Sequence, residues 1–279
     1  MVPAVFGLSR PPAAGYDITA FLLRGYYIVR KKKTMAYTHT YDIPYFLVDR
    51  HRKLRVTALM QFLEDMAIRH SEVCGVGLDH YEENQVAWVL AKWDITIHSY
   101  PGFNQQVHVT TQPVSFRNFF GFRQYKMKDD NGTLLAEASS LWIFIDLKKK
   151  KPVRVSEEMI NAFGLTPDQN KPLPIKAPEA PEKKQYESRF AIRPGDIDTN
   201  KHANNIRFVE WALNTLPPEL IDGKRATRVM VDYRKELLYG EEVFSFADFF
   251  EDKSGYISNH LISNGQKNAC LLTFMWKET

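Results

Sequence analysis

The chain passes twice through one order of elements: an extended segment, a helix, then four strand-like runs. In the first pass the spacing predicts a helix over about Val56–His70, with Val56, Leu59, Met60, Leu63, Met66 and Ala67 on one face. Gly75 and Gly77 follow it. In the second pass a helix is expected over about Asn205–Thr215, with Ile206, Val209, Ala212 and Leu213 inward and Pro217-Pro218 as its stop. Gln61-Phe-Leu-Glu64 and Arg207-Phe-Val-Glu210 share a local pattern. The strand-like runs are Trp88–His98, Gln106–Pro113, Gly121–Lys128 and Leu134–Asp146, then Arg228–Glu236, Val243–Phe250, Gly255–Ile262 and Ala269–Lys277. Asp129-Asp-Asn-Gly132 and Ser263-Asn-Gly265 read as the last hairpin turn of each pass. One helix and four antiparallel strands, twice over, argue α+β. The economical packing curls each sheet around its helix and joins the two sheets edge to edge, which protects those edges.

Composition bounds the rest. Of 279 residues, 44% are hydrophobic and 25% charged, so a substantial core can form. A net charge of +4 is too mild and dispersed for nucleic acid but suits an acidic partner or an anionic ligand. The two cysteines, Cys74 and Cys270, have neither metal-ligand nor CxxC spacing and are read as reduced thiols of a cytoplasmic protein. No metal is expected. Residues 1–34 carry Pro11-Pro12, an interrupted apolar patch and the basic run Arg30–Lys33. The patch is too short for a membrane span, and its charges follow it instead of preceding it as in a signal peptide. Residues 1–34 are therefore expected to be an extension outside the fold, with Met35 as the natural start. A first unit is expected over 35–165, a Pro-rich extended linker over 166–184, and a second unit over 185–279.

The second pass opens with Asp196-Ile-Asp-Thr-Asn-Lys-His-Ala-Asn-Asn205. Asp198, Asn200 and His202 fall at alternate positions, so an extended backbone would turn them to one side. A carboxylate, an amide and an imidazole can together orient water, move a proton and hold a developing negative charge. Asn204 and Asn205 lead into the helix, whose start offers free N–H groups.

These residues carry a resemblance. Arg193-Pro-Gly-Asp-Ile-Asp198-Thr-Asn200-Lys-His202-Ala-Asn-Asn205, with Trp211 beyond it, resembles the signature of the acyl-(acyl carrier protein) thioesterases of bacteria and plants. Val231-Asp-Tyr-Arg-Lys-Glu236 is similar to the family's strand bearing a second catalytic carboxylate, and Tyr45–Arg50 and Trp88–Trp93 are also similar to family segments. The resemblance implies the tandem (double) hotdog fold, two antiparallel sheets each wrapped around a long helix. It implies hydrolysis of fatty acyl thioesters on acyl carrier protein, giving free fatty acid and ending fatty acid synthesis. Asp198, Asn200, His202 and Glu236 map onto the functional positions. The first unit would hold the acyl chain. No cofactor is implied, since the substrate carries its own phosphopantetheine. The chain would be a monomer or homodimer with acyl carrier protein as partner. Plant members carry a Cys directly after the Glu; here Leu237 stands there, so no thiol at that place can be required.

Plainer explanations compete. Asp and Asn before a helix are usually turn and cap residues. Glu64, Asp65 and Glu210 are read as solvent-facing helix charges, although single-hotdog thioesterases often carry a catalytic carboxylate on the helix. The first-pass counterparts of the triplet are placed at Arg52, Leu54 and Val56, and that of Glu236 at about His98, which leaves one site, in the second unit. Trp88, Trp93, Phe116, Phe119, Phe120 and Phe122 suit core or an acyl tunnel equally. Lys148–Lys151 is a solvated turn or a docking patch for an acidic carrier. Alternatives are an acyl-CoA thioesterase, a hotdog dehydratase, and a non-catalytic acyl- or carrier-binding module. The absence of a Gly-rich phosphate loop and of a Gly-x-Ser-x-Gly elbow disfavours nucleotide and serine-hydrolase chemistry.

Overall fold

A computed structural model describes residues 35–166 and 170–279; the expected N-terminal extension, residues 1–34, lies outside these residues. Strands β1 (Tyr37–Asp42), β2 (Val86–Ile97), β3 (Gln106–Arg117), β4 (Phe120–Asp129), β5 (Leu134–Asp146) and the short β6 (Lys151–Pro152) belong to the first unit. Strands β7 (Tyr186–Ala191), β8 (Lys224–Tyr233), β9 (Glu242–Asp252), β10 (Gly255–Ser263) and β11 (Asn268–Glu278) belong to the second. All pair antiparallel in one sheet of order β1-β3-β4-β5-β2-β8-β11-β10-β9-β7, with β6 beside β5.

Helix α1 (Val56–Cys74) lies in the first half of this sheet. It is followed by the short α2 (Leu78–Asn84) and α3 (Glu157–Ala162); α4 (Asn205–Thr215) lies in the second half. Thr57, Ala58, Leu59, Met60, Phe62, Leu63, Met66 and Ala67 of α1 are all buried. Such a helix, apolar on more than one face, has to be enveloped by its sheet. α1 ends at Gly75, whose φ of 78° closes the last turn by donating its N–H to Glu72 and Ser71 carbonyls. α4 has the bounds read from its pattern, with Ile206, Phe208, Val209, Trp211 and Ala212 buried and Asn204 as its N-cap.

The halves join along β2 and β8, from Lys92↔Asp232 to Thr96↔Arg228. Across this seam Arg228 grips Asp94 with two bonds of 2.8 Å, and Lys92 lies 3.6 Å from Asp232. The two-pronged geometry makes the Arg228–Asp94 pair the stronger of the two. The Pro-rich segment crosses the sheet as a strap without regular structure. Its backbone N–H groups at Lys176, Glu179 and Glu182 donate to side chains of Asp94, Thr273 and Asp248. Both units are thus the tandem hotdog expected. Two strands differ most: β3 runs past Pro113 to Arg117, and β8 stops at Tyr233 and does not reach Glu236, because the N–H groups of Arg234 and Lys235 both turn onto the Ala269 carbonyl. No helix among the described residues is long and apolar enough to cross a membrane.

Because Leu63 is buried at 1% exposure inside the wrapped helix, Leu63→Ala should cost about 2–5 kcal/mol in urea unfolding. Lys149→Ala on the exposed turn should stay within about 0.5 kcal/mol.

Candidate active site

The repeat has a fixed register. An offset of 149 residues carries β1 onto β7 and the start of α1 onto the start of α4. Within it, buried Leu59, Met60, Phe62 and Leu63 fall on buried Phe208, Val209, Trp211 and Ala212. Between strand and helix, each half forms the same tight loop. In the second half Asp198 N–H donates to the His202 carbonyl, Lys201 N–H to the Asp198 carbonyl, and Ile197 bridges Ala203. In the first half Asp49 N–H donates to Lys53, Arg52 N–H to Asp49, and Val48 bridges Leu54. Lys201 and Arg52 both hold positive φ, at 67° and 58°.

The extended, alternating backbone expected for the triplet is therefore corrected to a closed loop. The reason is Asp198 itself. Its Oδ1 accepts the N–H groups of Asn200 at 2.8 Å and His202 at 3.3 Å, which pulls the chain into a turn. Asp49 does the same for His51 and Lys53, at 2.8 and 3.0 Å. The structural counterparts of Asp198, Asn200 and His202 are thus Asp49, His51 and Lys53, not Arg52, Leu54 and Val56. Ala203 N–H meets the Leu237 carbonyl where Leu54 N–H meets that of Pro101, so the counterpart of Glu236 is Tyr100, not His98.

The loop brings the four residues together as follows. His202 Nε2 lies 3.0 Å from Glu236 Oε2, with the His half-buried and the Glu at the surface. Asn200 turns its amide toward Asp198 Oδ2 at 3.4 Å. Asn204 accepts the Ile206 N–H at 3.0 Å, so one of the free donors expected at the start of α4 is capped by its own neighbour. Tyr233 donates to the Asn205 carbonyl at 3.2 Å and braces the same turn from β8. In the first half the matching Asp49 is ion-paired with Arg225. Although partial burial works the other way, Arg225 and the Lys53 and His51 N–H groups hold the Asp49 carboxyl below its usual range.

Glu64 is only partly exposed, not the freely solvent-facing charge expected. Its Oε1 is buried with no hydrogen-bond partner. Burial pushes its pKa up to about 7; the Trp93 indole N–H approaches without completing a bond and opposes the shift, and the Asp198 charge adds to it. Asp65 instead takes Tyr41 Oη and Arg69 at 2.5 Å each, and Glu210 pairs with Arg207. One and two turns beyond Glu64, Ala67, Ile68 and Ser71 line an apolar cavity with Trp88, Phe116 and Phe163. A Cβ on Gly121 would stand 2.8 Å from the Trp88 ring, so the glycine lets that indole lie against β4. Phe122 also lines the cavity, Trp93 sits in the core, and Phe119 and Phe120 meet at a tilt of 49° at the β3–β4 turn. Among the described residues no cluster of side chains suits a metal ion.

The arrangement is a loop-borne Asp–Asn–His set beside a carboxylate, carried on a double hotdog, and the comparisons give the family. The model of the acyl-ACP thioesterase N-terminal domain matches residues 34–163, and that of the C-terminal domain matches residues 179–278. The chain belongs to the acyl-ACP thioesterase family. It is similar to the palmitoyl-acyl carrier protein thioesterase of Cuphea hookeriana, at 24% identity over 72% of this chain and 52% of that one. It spans about half the length of the curated relatives it matches first. Among solved structures it is similar to an acyl-ACP thioesterase of Bacteroides thetaiotaomicron, with 25% identity, TM-score 0.74 and coverage of 87% and 98% of the two chains. It also resembles the 12:0-ACP thioesterase of Umbellularia californica, with 18% identity, TM-score 0.74 and coverage of 88% and 95%.

The twin loops supply a matched test of Asp198. Asp49→Ala should cost about 1–2 kcal/mol of stability and leave turnover near wild type. Asp198→Ala should cost a similar amount and also abolish most turnover. Thermal melts and steady-state rates of both variants check this.

Proposed function

We propose that the chain hydrolyses fatty acyl thioesters of acyl carrier protein to free fatty acid and holo-carrier. The observation that carries this reading is the 3.0 Å contact of His202 with Glu236 beside the Asp198–Asn200 pair, in a member of this family. A thioester is already activated, so one water, a carboxylate to take its proton and a donor for the developing oxyanion suffice. His202, held by Glu236, would move the proton or donate to the oxyanion. Asn200, held against Asp198, would polarise the carbonyl or orient the carboxylate. The apolar cavity along α1 would take the acyl chain, which gives the first unit its role. The phosphopantetheine arm belongs to the substrate, and no cofactor enters the scheme.

The Lys148–Lys151 turn supports carrier docking by its placement. Ala87 pairs with Ile145 and Lys92 with Asp232, so the end of β5 lies toward the same end of the sheet as Glu236. The lysines there are exposed and would meet an acidic carrier near the mouth of the site.

Incubation with carrier protein loaded with C8 to C18 chains should release free fatty acids, identified by chromatography; intact thioesters after long incubation would reject the reading. His202→Ala should lower turnover by roughly a hundredfold to a thousandfold, about 3–4 kcal/mol, with a native melting temperature. Reversing the charges of Lys148–Lys151 should raise KM for carrier-bound substrate and spare small thioesters. An equal effect on both would count against docking.

A further inference from the structure

One cation stands inside the first unit without an anion beside it. Along β4 the alternate residues Gly121, Arg123, Tyr125 and Met127 are buried, so Arg123 lies on the inward face of the sheet. It is only 7% exposed, and it lines the apolar cavity with Trp88, Phe116 and Phe163. A buried charge is costly unless it is paired. Among the described residues no carboxylate pairs with Arg123. Its Nη1 lies 2.9 Å from His70 Nδ1 and donates to Thr111 Oγ1 at 3.2 Å. The guanidinium carbon stands 5.3 Å from the centre of the Phe163 ring. Burial pulls its pKa down, and the groups that oppose this are Tyr125, Tyr81 and Cys74.

The twin half shows that the scaffold does without this charge. Matching β4 to β10 from their first residues, Phe120 and Gly255, sets Arg123 on Ser258 and Gly121 on Tyr256. Cross-strand pairing agrees: Gly121 pairs with Trp142, and Tyr256 pairs with Trp276. Ser258 is buried and accepts the Trp276 indole N–H at 2.9 Å. A small hydroxyl therefore satisfies the same place in the second sheet, and a larger side chain takes the place of the glycine. Only the first half combines a glycine at one inward position with a guanidinium at the next.

The free edge of the side chain says what it suits. A guanidinium presents five N–H donors, and only Nη1 bonds to the described residues, which leaves the edge formed by Nε and Nη2. Arg228 uses that same edge at the seam, where Nε and Nη2 hold the two oxygens of Asp94 at 2.8 Å each. The edge fits a carboxylate with two parallel bonds. We propose that the cavity along α1 binds an aliphatic carboxylate, its chain against Trp88, Phe116 and Phe163 and its two oxygens on Nε and Nη2 of Arg123. Two sources carry that chemistry: a free fatty acid, and an acyl chain whose far end is a carboxyl group. The inference rests on the reading of this cavity as the acyl-chain site and names the ligand class it prefers. A chain ending in methyl leaves the buried donors unmatched, so the guanidinium makes the cavity selective.

Calorimetric titration of the full chain with decanoate, and with methyl decanoate as its uncharged match, tests this. Decanoate should bind about tenfold tighter or more. Arg123→Met removes the charge at similar length and should bring acid and ester to equal affinity. Arg123→Lys keeps the charge without the fork and should keep only part of the preference. An arginine that merely brackets His70 and Thr111 would give equal affinities in the wild type. That result, or a preference for the acid that survives Arg123→Met, would overturn the proposal. The wild-type comparison needs no variant, so it decides even where Arg123→Met does not fold. Two kinetic arms separate the sources. Decanoate inhibiting hydrolysis of acyl carrier protein in the wild type but not in Arg123→Met points to the free acid. A higher kcat/KM for carrier bearing a carboxyl-ended chain than for a plain chain of equal length points to the chain end. A wild type that prefers decanoate yet releases no acid from any acyl carrier would overturn the functional reading and leave this site standing.

Discussion

The seam between β2 and β8 is the constraint on which the rest depends. It makes two units into one sheet, and Arg228 reaching across to Asp94 locks it with a two-pronged ion pair that is mostly shielded from water. Antiparallel pairing at this edge relates the halves head to tail. The first half's loop meets the second unit next to this seam, where Asp49 pairs with Arg225 of β8.

Duplication also separates structural from chemical roles within a single chain. Asp198 and Asp49 close identical loops, so the carboxyl that bonds its own backbone is a property of the scaffold. What distinguishes the halves is the second set of residues. Where the second half sets His202 against Glu236, the first has Lys53 and Tyr100 at the matching positions, turns its aspartate onto Arg225 and donates the Tyr100 hydroxyl to the Ala226 carbonyl. One half thus carries groups that can exchange a proton, and the other uses its loop to tie the units together.

Much of this was legible in the residues. The bounds of α4 and β5 follow from apolar periodicity and turn residues, and the double hotdog follows from one helix and four strands recurring twice. The pattern also singled out Asp198, Asn200, His202 and Glu236, which the loop brings side by side. Their local shape was not. A triplet at alternate positions looks like a strand until Asp198 is allowed to bind the N–H groups two and four residues on, and nothing in the type of Lys201 announces positive φ. The register of the repeat was misjudged because Gln61–Glu64 and Arg207–Glu210 look alike at an offset of 146 residues, whereas burial fixes the offset at 149. Glu64 was hidden for a related reason. Helical periodicity gives no sign that one carboxylate oxygen of Glu64 is shut away without a partner while the residue stays partly exposed.

The joined sheet has a consequence for how the protein keeps to itself. Its two outermost strands, β1 and β7, have six residues each, against twelve in β3 and eleven in β9 beside them. They carry His39, Asp42, Glu187 and Arg189 along those margins. Short, charged borders are poor templates for a stranger's backbone. The long, apolar border of β2, which would be the dangerous one, is consumed inside the molecule by β8, so tandem fusion acts as a safeguard against fibrous self-association.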